Sequence, residues 1–195
     1  MIFALALLLA PSEIGPIEEM ENVFRGHRSV SALVVVKSGS YVSRGSFSVL
    51  APHYARLVSP ERVMITDGKR ALEIMPQNRT FREISPESSL LTIAGMPGIS
   101  MVLPKRRKVV VKGEPTIVTE AGKDAFSIAV ENPYDVQSGG QTYLILNART
   151  YHPMVYRVED PKQGRFDMIF SDIRFDRKLT PKDFKVAAPA GYREL

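Results

Sequence analysis

The 195-residue sequence predicts a mainly β fold, in which one large antiparallel sheet of about eleven strands curls into an incomplete barrel. Three observations predict it: many apolar segments of strand length, Pro, Gly and Asn-rich turns between them, and only two short segments with helical character. With 44% hydrophobic and 24% charged residues, the chain has the composition of a globular protein. It has neither a repeat of fixed period nor a linker, so we expect a single domain over residues 11–195.

The first ten residues, MIFALALLLA, form an unbroken apolar run. The run is too short to cross a bilayer core of about 30 Å as a helix, and its length is typical of the apolar region of a secretory signal. Two features do not fit a signal peptide: no Lys or Arg precedes the run, and Leu8 is large for a residue at the −3 position of a cleavage site after Ala10. We expect residues 1–10 to be a signal-peptide remnant of an exported protein; the alternative is a helix buried against the domain.

Residues 17–30 predict an amphipathic N-terminal helix that ends near Gly26. Acidic residues fill its first turns, where the helix dipole favours negative charge. Its apolar residues recur at helical spacing and are Ile17, Met20, Val23 and Phe24.

From residue 30 onward the apolar pattern has a period of two or runs continuously over strand-length segments, which predicts β-strands. The predicted strands cover residues 31–39, 41–52, 53–59, 62–66, 71–75, 79–84, 105–113, 115–122, 125–131, 142–148, 154–160 and 165–175. Asp67-Gly68 lies between two of them and predicts a type I′ hairpin turn, in which both central residues need positive φ.

Residues 85–104 interrupt the strand pattern. Ser85 is a helix-capping residue, and Gly95, Pro97 and Gly98 end the helix that it would cap. A short helix that is this apolar and lies between flexible joints predicts a lid over an apolar surface. The candidate lid residues are Leu90, Leu91, Ile93 and Met96.

The sequence offers no recognisable catalytic or metal-binding motif. His27, His53 and His152 are widely separated and lie outside the spacings of histidine metal sites. The sequence has no cysteine, no phosphate-binding loop and no nucleophile elbow. We therefore expect a protein that is not an enzyme and that has neither metal nor cofactor.

One dense basic cluster comprises Lys105, Arg106, Arg107 and Lys108. We consider two interpretations: a solvated strand end, or contact with a lipid headgroup or a membrane surface. Nucleic-acid binding is disfavoured because no aromatic residues are interleaved with the basic ones.

Three stretches and the C-terminal ending resemble the LolA-type periplasmic lipoprotein carriers. The stretches are G-x-F-x-V-x-x-P at 45–52, R-V-M-I-T-D-G-K at 62–69 and L-x-I-x-P at 72–76, and the ending is F-x-x-x-x-P-x-G at 184–191. The resemblance covers residues 17–195. It implies a periplasmic protein whose curled barrel and helical lid enclose a concave apolar surface that receives the acyl chains of a lipoprotein or another lipid.

The sequence departs from the family pattern at two places. The family arginine before the strand-ending proline falls on Ala51, so locking of the lid by that arginine does not carry over. The aromatic positions on the following strands fall on Ala55, Leu57 and Leu72. A divergent member with a different lipid ligand fits these departures.

The main hypothesis is a monomeric, non-enzymatic carrier of lipid or lipoprotein acyl chains in the cell envelope, with a partner protein in the inner or outer membrane. The alternative is the same fold used as a periplasmic sensor or protein-interaction domain of the envelope-stress type. The predicted ligand-binding residues on the apolar concave face are Phe47, Val49, Leu57, Met64, Leu72 and Ile74.

Overall fold

A computed structural model describes residues 15–86, 110–131, 140–162 and 164–195. These residues contain one α-helix, α1 (Pro16–Arg25), and twelve strands. The strands are β1 (Ser29–Ser38), β2 (Tyr41–Leu50), β3 (Tyr54–Val58), β4 (Val63–Thr66), β5 (Ala71–Met75), β6 (Thr80–Ile84), β7 (Thr116–Glu120), β8 (Lys123–Val130), β9 (Gln141–Asn147), β10 (Pro153–Asp160), β11 (Gly164–Phe175) and β12 (Arg193–Glu194).

All twelve strands belong to one sheet, in the order β12-β6-β5-β4-β3-β2-β1-β11-β10-β9-β8-β7. The sheet is open and curled, and it does not close into a barrel. Neighbouring strands are antiparallel except β12, which is short and pairs parallel to β6. The predicted fold class is therefore confirmed. β12 was not predicted, because two residues are too few to show a strand period.

The alternation of side chains along each strand gives the sheet two faces. We call the face that carries α1 the helix face; its buried residues include Val30, Val34, Phe47 and Met64. We call the opposite face the tail face, because the chain that follows β11 packs on it. The buried residues of the tail face form two separate clusters and are Ile65, Leu72, Ile74, Ala125, Ile145 and Val155.

α1 begins at Pro16, where a missing N–H costs nothing, and has Glu18 and Glu19 in its first turn. Met20 and Phe24 are one turn apart and are both buried against the helix face. The ring of Phe24 meets the ring of Phe175 edge to face at 5.2 Å. The predicted N-terminal helix is thus confirmed, and its apolar stripe is what fastens it to the sheet.

The C-terminal segment covers the tail face of β4 and β5. A 3₁₀ turn over Pro181–Phe184 is capped by Asp183, whose Oδ2 accepts hydrogen bonds from the backbone N–H and the hydroxyl of Thr180 at 2.7 and 2.9 Å. The turn buries Phe184 against Tyr54, with 5.7 Å between ring centroids. Further along, Val186 and Tyr192 pack on the cluster of Ile65, Leu72 and Ile74.

The predicted type I′ turn at Asp67-Gly68 is wrong. Gly68 has φ +85°, but Asp67 is not among the residues with positive φ. The loop has four residues, since Thr66 pairs with Ala71. Asp67 Oδ1 accepts hydrogen bonds from the backbone N–H groups of Lys69 and Arg70 at 2.9 and 2.8 Å, so its side chain closes the loop in place of a strained backbone.

Several predictions concern residues outside the described ranges. They are the signal-peptide remnant over 1–10, the lid residues Leu90, Leu91, Ile93 and Met96, and the basic cluster Lys105, Arg106, Arg107 and Lys108. Of the predicted strand over 105–113, the described part makes a single bridge between Val111 and Val130.

Candidate functional site

The helix face is apolar on both halves of the sheet. A single cluster of buried residues runs across it, and its members come from α1, from β1 to β4 and from β8, β9 and β11. On the second half of the sheet the cluster includes Ile128, Leu144, Leu146 and Phe170, with exposures of 0 to 6%. This face is therefore the most extensive apolar surface among the described residues.

α1 is too short to cover this surface by itself. Its ten residues give a length of about 15 Å, whereas eleven antiparallel strands at about 4.8 Å spacing extend over about 50 Å. Only Met20 and Phe24 of the helix are buried. The low exposure of the other residues of this face therefore does not come from α1 alone.

Some apolar residues in the middle of the helix face keep part of their exposure. Leu57 lies directly opposite Phe47 and Met64, each only 2% exposed, yet Leu57 is itself partly exposed. Leu57 is one of several partly buried apolar residues that pack against the cluster.

A second partly exposed apolar row lies on the other half of the helix face. Val36, Met168 and Tyr156 stand directly opposite one another on β1, β11 and β10. Burial raises the pKa of the Tyr156 hydroxyl. Like Leu57, this row packs against the buried cluster and keeps part of its exposure.

The structure divides the six predicted ligand-binding residues between the two faces. Phe47, Val49, Leu57 and Met64 lie on the helix face and belong to or pack against its cluster. Leu72 and Ile74 lie on the tail face, beneath Val186 and Tyr192. The six residues therefore do not form one surface. Met64 pairs with Glu73, so Leu72 and Ile74, the neighbours of Glu73 along β5, point to the opposite face.

A charged cluster on the helix face was not predicted from the sequence. Glu73 is 4% exposed, and its two carboxylate oxygens meet Arg62 Nε at 2.9 Å and Arg82 Nη2 at 2.5 Å. Strand alternation could have revealed it. Met64, Glu73 and Arg82 are opposite one another on β4, β5 and β6, so their side chains share a face.

A cleft of about 650 Å³ lies where the C-terminal segment meets the loop between β4 and β5. It is lined by His53, Tyr54, Asp67, Lys69, Pro181, Lys182, Phe184, Lys185 and Val186. Burial acts to raise the pKa of Asp67, but the N–H groups of Arg70 and Lys69 outweigh it and the pKa is lowered. Asp67 therefore remains an anion among the lysines of this cleft.

Two other kinds of site are absent from the described residues. Among these residues no group of three or more His, Cys, Asp or Glu side chains is placed to hold a metal ion. The helical part of the same residues contains no segment with the length and hydropathy needed to cross a membrane.

No protein-family model and no curated protein matches the sequence, whereas solved structures do match the fold. An uncharacterized conserved protein from Thermus thermophilus superposes with a TM-score of 0.62 at 10% identity, over 92% of this chain and 96% of that one.

Two further structures superpose with lower scores. A LolA superfamily protein from Nitrosomonas europaea has a TM-score of 0.44 at 10% identity, over 87% of this chain and 96% of its own. A putative outer membrane lipoprotein-sorting protein domain from Vibrio parahaemolyticus has a TM-score of 0.46 at 13% identity, over 87% and 95%.

Proposed function

We propose that this protein is an exported, non-enzymatic carrier or binder of lipid or lipoprotein acyl chains in the cell envelope. The proposed site is the helix face, with Phe47, Val49, Leu57 and Met64 on one half and the row of Val36, Met168 and Tyr156 on the other. The predicted lid over 90–96 would close the site, and the basic cluster over 105–108 would contact headgroups or a membrane surface.

The observation that carries the proposal is the partial exposure of Leu57 between two buried apolar neighbours. A core that exists only for stability buries such a position, because each buried CH₂ contributes about 0.8 kcal/mol. A surface that must accept a guest keeps some apolar area accessible until the guest arrives.

The chemistry of the helix face suits an acyl chain. A hydrocarbon chain needs no directional partner, only apolar contact area worth about 25 cal/mol per Å². Met64 and Met168 have unbranched, polarizable side chains that adapt to chains of different shape. The motifs at 45–52, 62–69 and 184–191, which resemble those of lipoprotein carriers, support the same ligand class.

Replacement of Leu57 by Glu tests the proposal, with Leu72→Glu as a matched control on the tail face. Leu72 is 2% exposed beneath the C-terminal segment, so a carboxylate there can reach neither water nor a partner. We expect Leu72→Glu to lose several kcal/mol of stability or to fail to fold. Leu57→Glu should remain folded, because its carboxylate can reach water, and should lose binding of a fluorescent fatty-acyl probe.

Thermal melting and probe titration of both variants and the wild type give the answer. A folded Leu57→Glu variant that binds the probe as well as the wild type would exclude this face as the site. Unfolding of both variants to the same extent would identify Leu57 as an ordinary core residue. A wild-type protein that binds no acyl probe, but forms a stable complex with a membrane-anchored regulator, would favour the sensor alternative.

A further inference from the structure

The charged cluster of Arg62, Glu73 and Arg82 lies at the end of an apolar row that crosses the helix face. Phe47, Leu57, Met64 and Glu73 stand directly opposite one another on β2, β3, β4 and β5, and Arg82 on β6 completes the row. From Phe47 to Glu73 the row spans three strand spacings, about 14 Å. One leaflet of a bilayer core, about 15 Å, is filled by acyl chains of similar reach.

The cluster has more positive charge than its buried carboxylate requires. One guanidinium would neutralise Glu73, yet Arg62 Nε lies at 2.9 Å from one oxygen, and Arg82 Nε and Nη2 lie at 2.6 and 2.5 Å from the other. Two arginines and one glutamate leave a net charge of +1. Glu73 is almost fully buried and already contacts both arginines, so it has no further charge with which to offset this surplus.

Both guanidinium groups remain open to a ligand. The side chains of Arg62 and Arg82 are 50% and 56% exposed, and each guanidinium has five N–H donors, of which Glu73 uses one or two. Within the described ranges, neither arginine forms an ion pair with any acid other than Glu73.

The neighbouring Glu61 does not neutralise the pair. Its carboxylate accepts a hydrogen bond from the Ser43 hydroxyl at 2.5 Å, and this hydrogen bond lowers the pKa of Glu61. Glu61 is thus an anion held by β2, and among the described residues it makes no ion pair with Arg62 or Arg82.

We propose that Arg62 and Arg82, oriented by Glu73, bind the oxyanion head of a single-chain amphiphile whose hydrocarbon chain runs along this row towards Leu57, its partly exposed apolar member. The inference rests on the proposed function and narrows its ligand class. A carboxylate or a phosphate monoester would satisfy the planar donor pairs of arginine. Glu73 restrains both guanidiniums before the ligand arrives, which reduces the entropy lost on binding.

The test compares probes that share one C18:1 chain and differ only in the head. Oleate has a carboxylate, oleoyl lysophosphatidate has a phosphate, and mono-oleoylglycerol is neutral. Each is titrated below its aggregation concentration by displacement of a fluorescent acyl probe, and inorganic phosphate is titrated alone. We expect the wild type to bind at least one anionic probe about tenfold more tightly than the neutral one, because charge-assisted hydrogen bonds are strong.

The variants are Arg62→Gln and Arg82→Gln, with Arg44→Gln as a control that makes the same charge change on the tail face of β2. Each helix-face variant should lose most of the preference for the anionic head and keep its affinity for mono-oleoylglycerol within about twofold. Arg44→Gln should retain the preference. A triple variant, Arg62→Gln, Glu73→Gln and Arg82→Gln, removes the cluster without leaving a buried charge unpaired, so it serves where a single variant melts early.

The outcomes separate this inference from the proposed function. If mono-oleoylglycerol binds but the anionic probes bind no more tightly, or if the preference survives in the helix-face variants, the head-group site is wrong and the acyl-chain site stands. If no probe binds, both proposals fail. Binding of inorganic phosphate alone, lost in Arg62→Gln with no effect on oleate, would assign the cluster to a free anion and overturn the head-group site.

Discussion

The two faces of the sheet each hold a buried carboxylate between two arginines, and they differ in charge balance. On the tail face, Asp167 accepts from Arg157 Nε at 2.9 Å and from Arg165 Nη2 at 2.6 Å, and Arg157 also pairs with Glu120 at 3.1 Å. Two arginines there meet two carboxylates. On the helix face two arginines meet Glu73 alone.

The difference extends to exposure. Arg157 of the tail-face cluster is 14% exposed, whereas Arg165 of that cluster and both arginines of the helix-face cluster are at least half exposed. Burial acts to raise the pKa of Asp167, but hydrogen bonds from Arg165 and Arg157 outweigh it and the pKa is lowered. A charge-balanced cluster built on a buried arginine serves stability. An open cluster with surplus charge retains the capacity to bind an anion.

The two faces also differ in how they are covered. The C-terminal segment places Phe184, Val186 and Tyr192 on the tail face. The ten-residue α1 buries only Met20 and Phe24 on the much wider helix face. The tail face of β4 and β5 is thus covered by a described segment of the chain, whereas α1 does not span the helix face, which is the face we propose as the ligand site.

Three changes are expected to lower stability: replacement of Phe184 by Ala, loss of an arginine from a charged cluster, and acidification. Replacement of Phe184 by Ala should have the largest effect. The side chain is 1% exposed and anchors the C-terminal segment against Tyr54. We expect a loss of about 3–5 kcal/mol in the free energy of unfolding, measured in urea. Acyl-probe affinity of the folded fraction should not change. A loss below about 1 kcal/mol would show that the C-terminal segment is not an essential cover.

Loss of one arginine from each cluster should have unequal effects. Arg157→Gln leaves Asp167 and Glu120 short of their shared partner in a buried setting, so we expect about 3 kcal/mol of destabilisation. Arg62→Gln leaves Glu73 paired with Arg82, and Arg62 is half exposed, so the loss should stay below about 1 kcal/mol. Urea unfolding of both variants measures the two losses in the free energy of unfolding. Equal losses would show that the two clusters do not differ in their contribution to stability.

Acidification should have the smallest effect on stability. The group concerned is His152, whose ring contacts Phe175, as Phe24 of α1 also does. Burial, followed by the nearby charge of His27, lowers the pKa of His152. The unfolded chain therefore takes up this proton at a higher pH than the folded protein, and stability falls as the pH drops below about 6.5. The hydrogen bond from His27 lowers the pKa of Asp176, so that carboxylate stays ionised in this window.

Melting temperatures at pH 7.5 and 5.5 test this dependence, with His152→Gln as the comparison. The melting temperature of the wild type should fall more between pH 7.5 and pH 5.5 than that of the variant. An equal loss in both proteins would assign the pH dependence to other groups.

Strand alternation and turn residues predicted most of the first half of the sheet, and one error there is instructive. The expectation that Leu72 and Ile74 share a surface with Met64 is wrong. A two-residue loop would place Met64 opposite Ala71, and the observed four-residue loop places it opposite Glu73. Both loops leave Leu72 on the other face, because the pairing shifts by two residues and the side-chain period is also two. The sequence alone therefore contained the correct assignment.

Local patterns in the sequence were sufficient to predict the short-range elements: the helix with Met20 and Phe24 one turn apart, the period-two strands, and the positions of the turns. These follow from backbone preferences and side-chain spacing within a few residues. The structure was needed to show that Phe184 and Val186 cover the tail face and that Leu57 stays partly exposed. Those features depend on the register of paired strands and on contacts between segments more than a hundred residues apart, which no local pattern encodes.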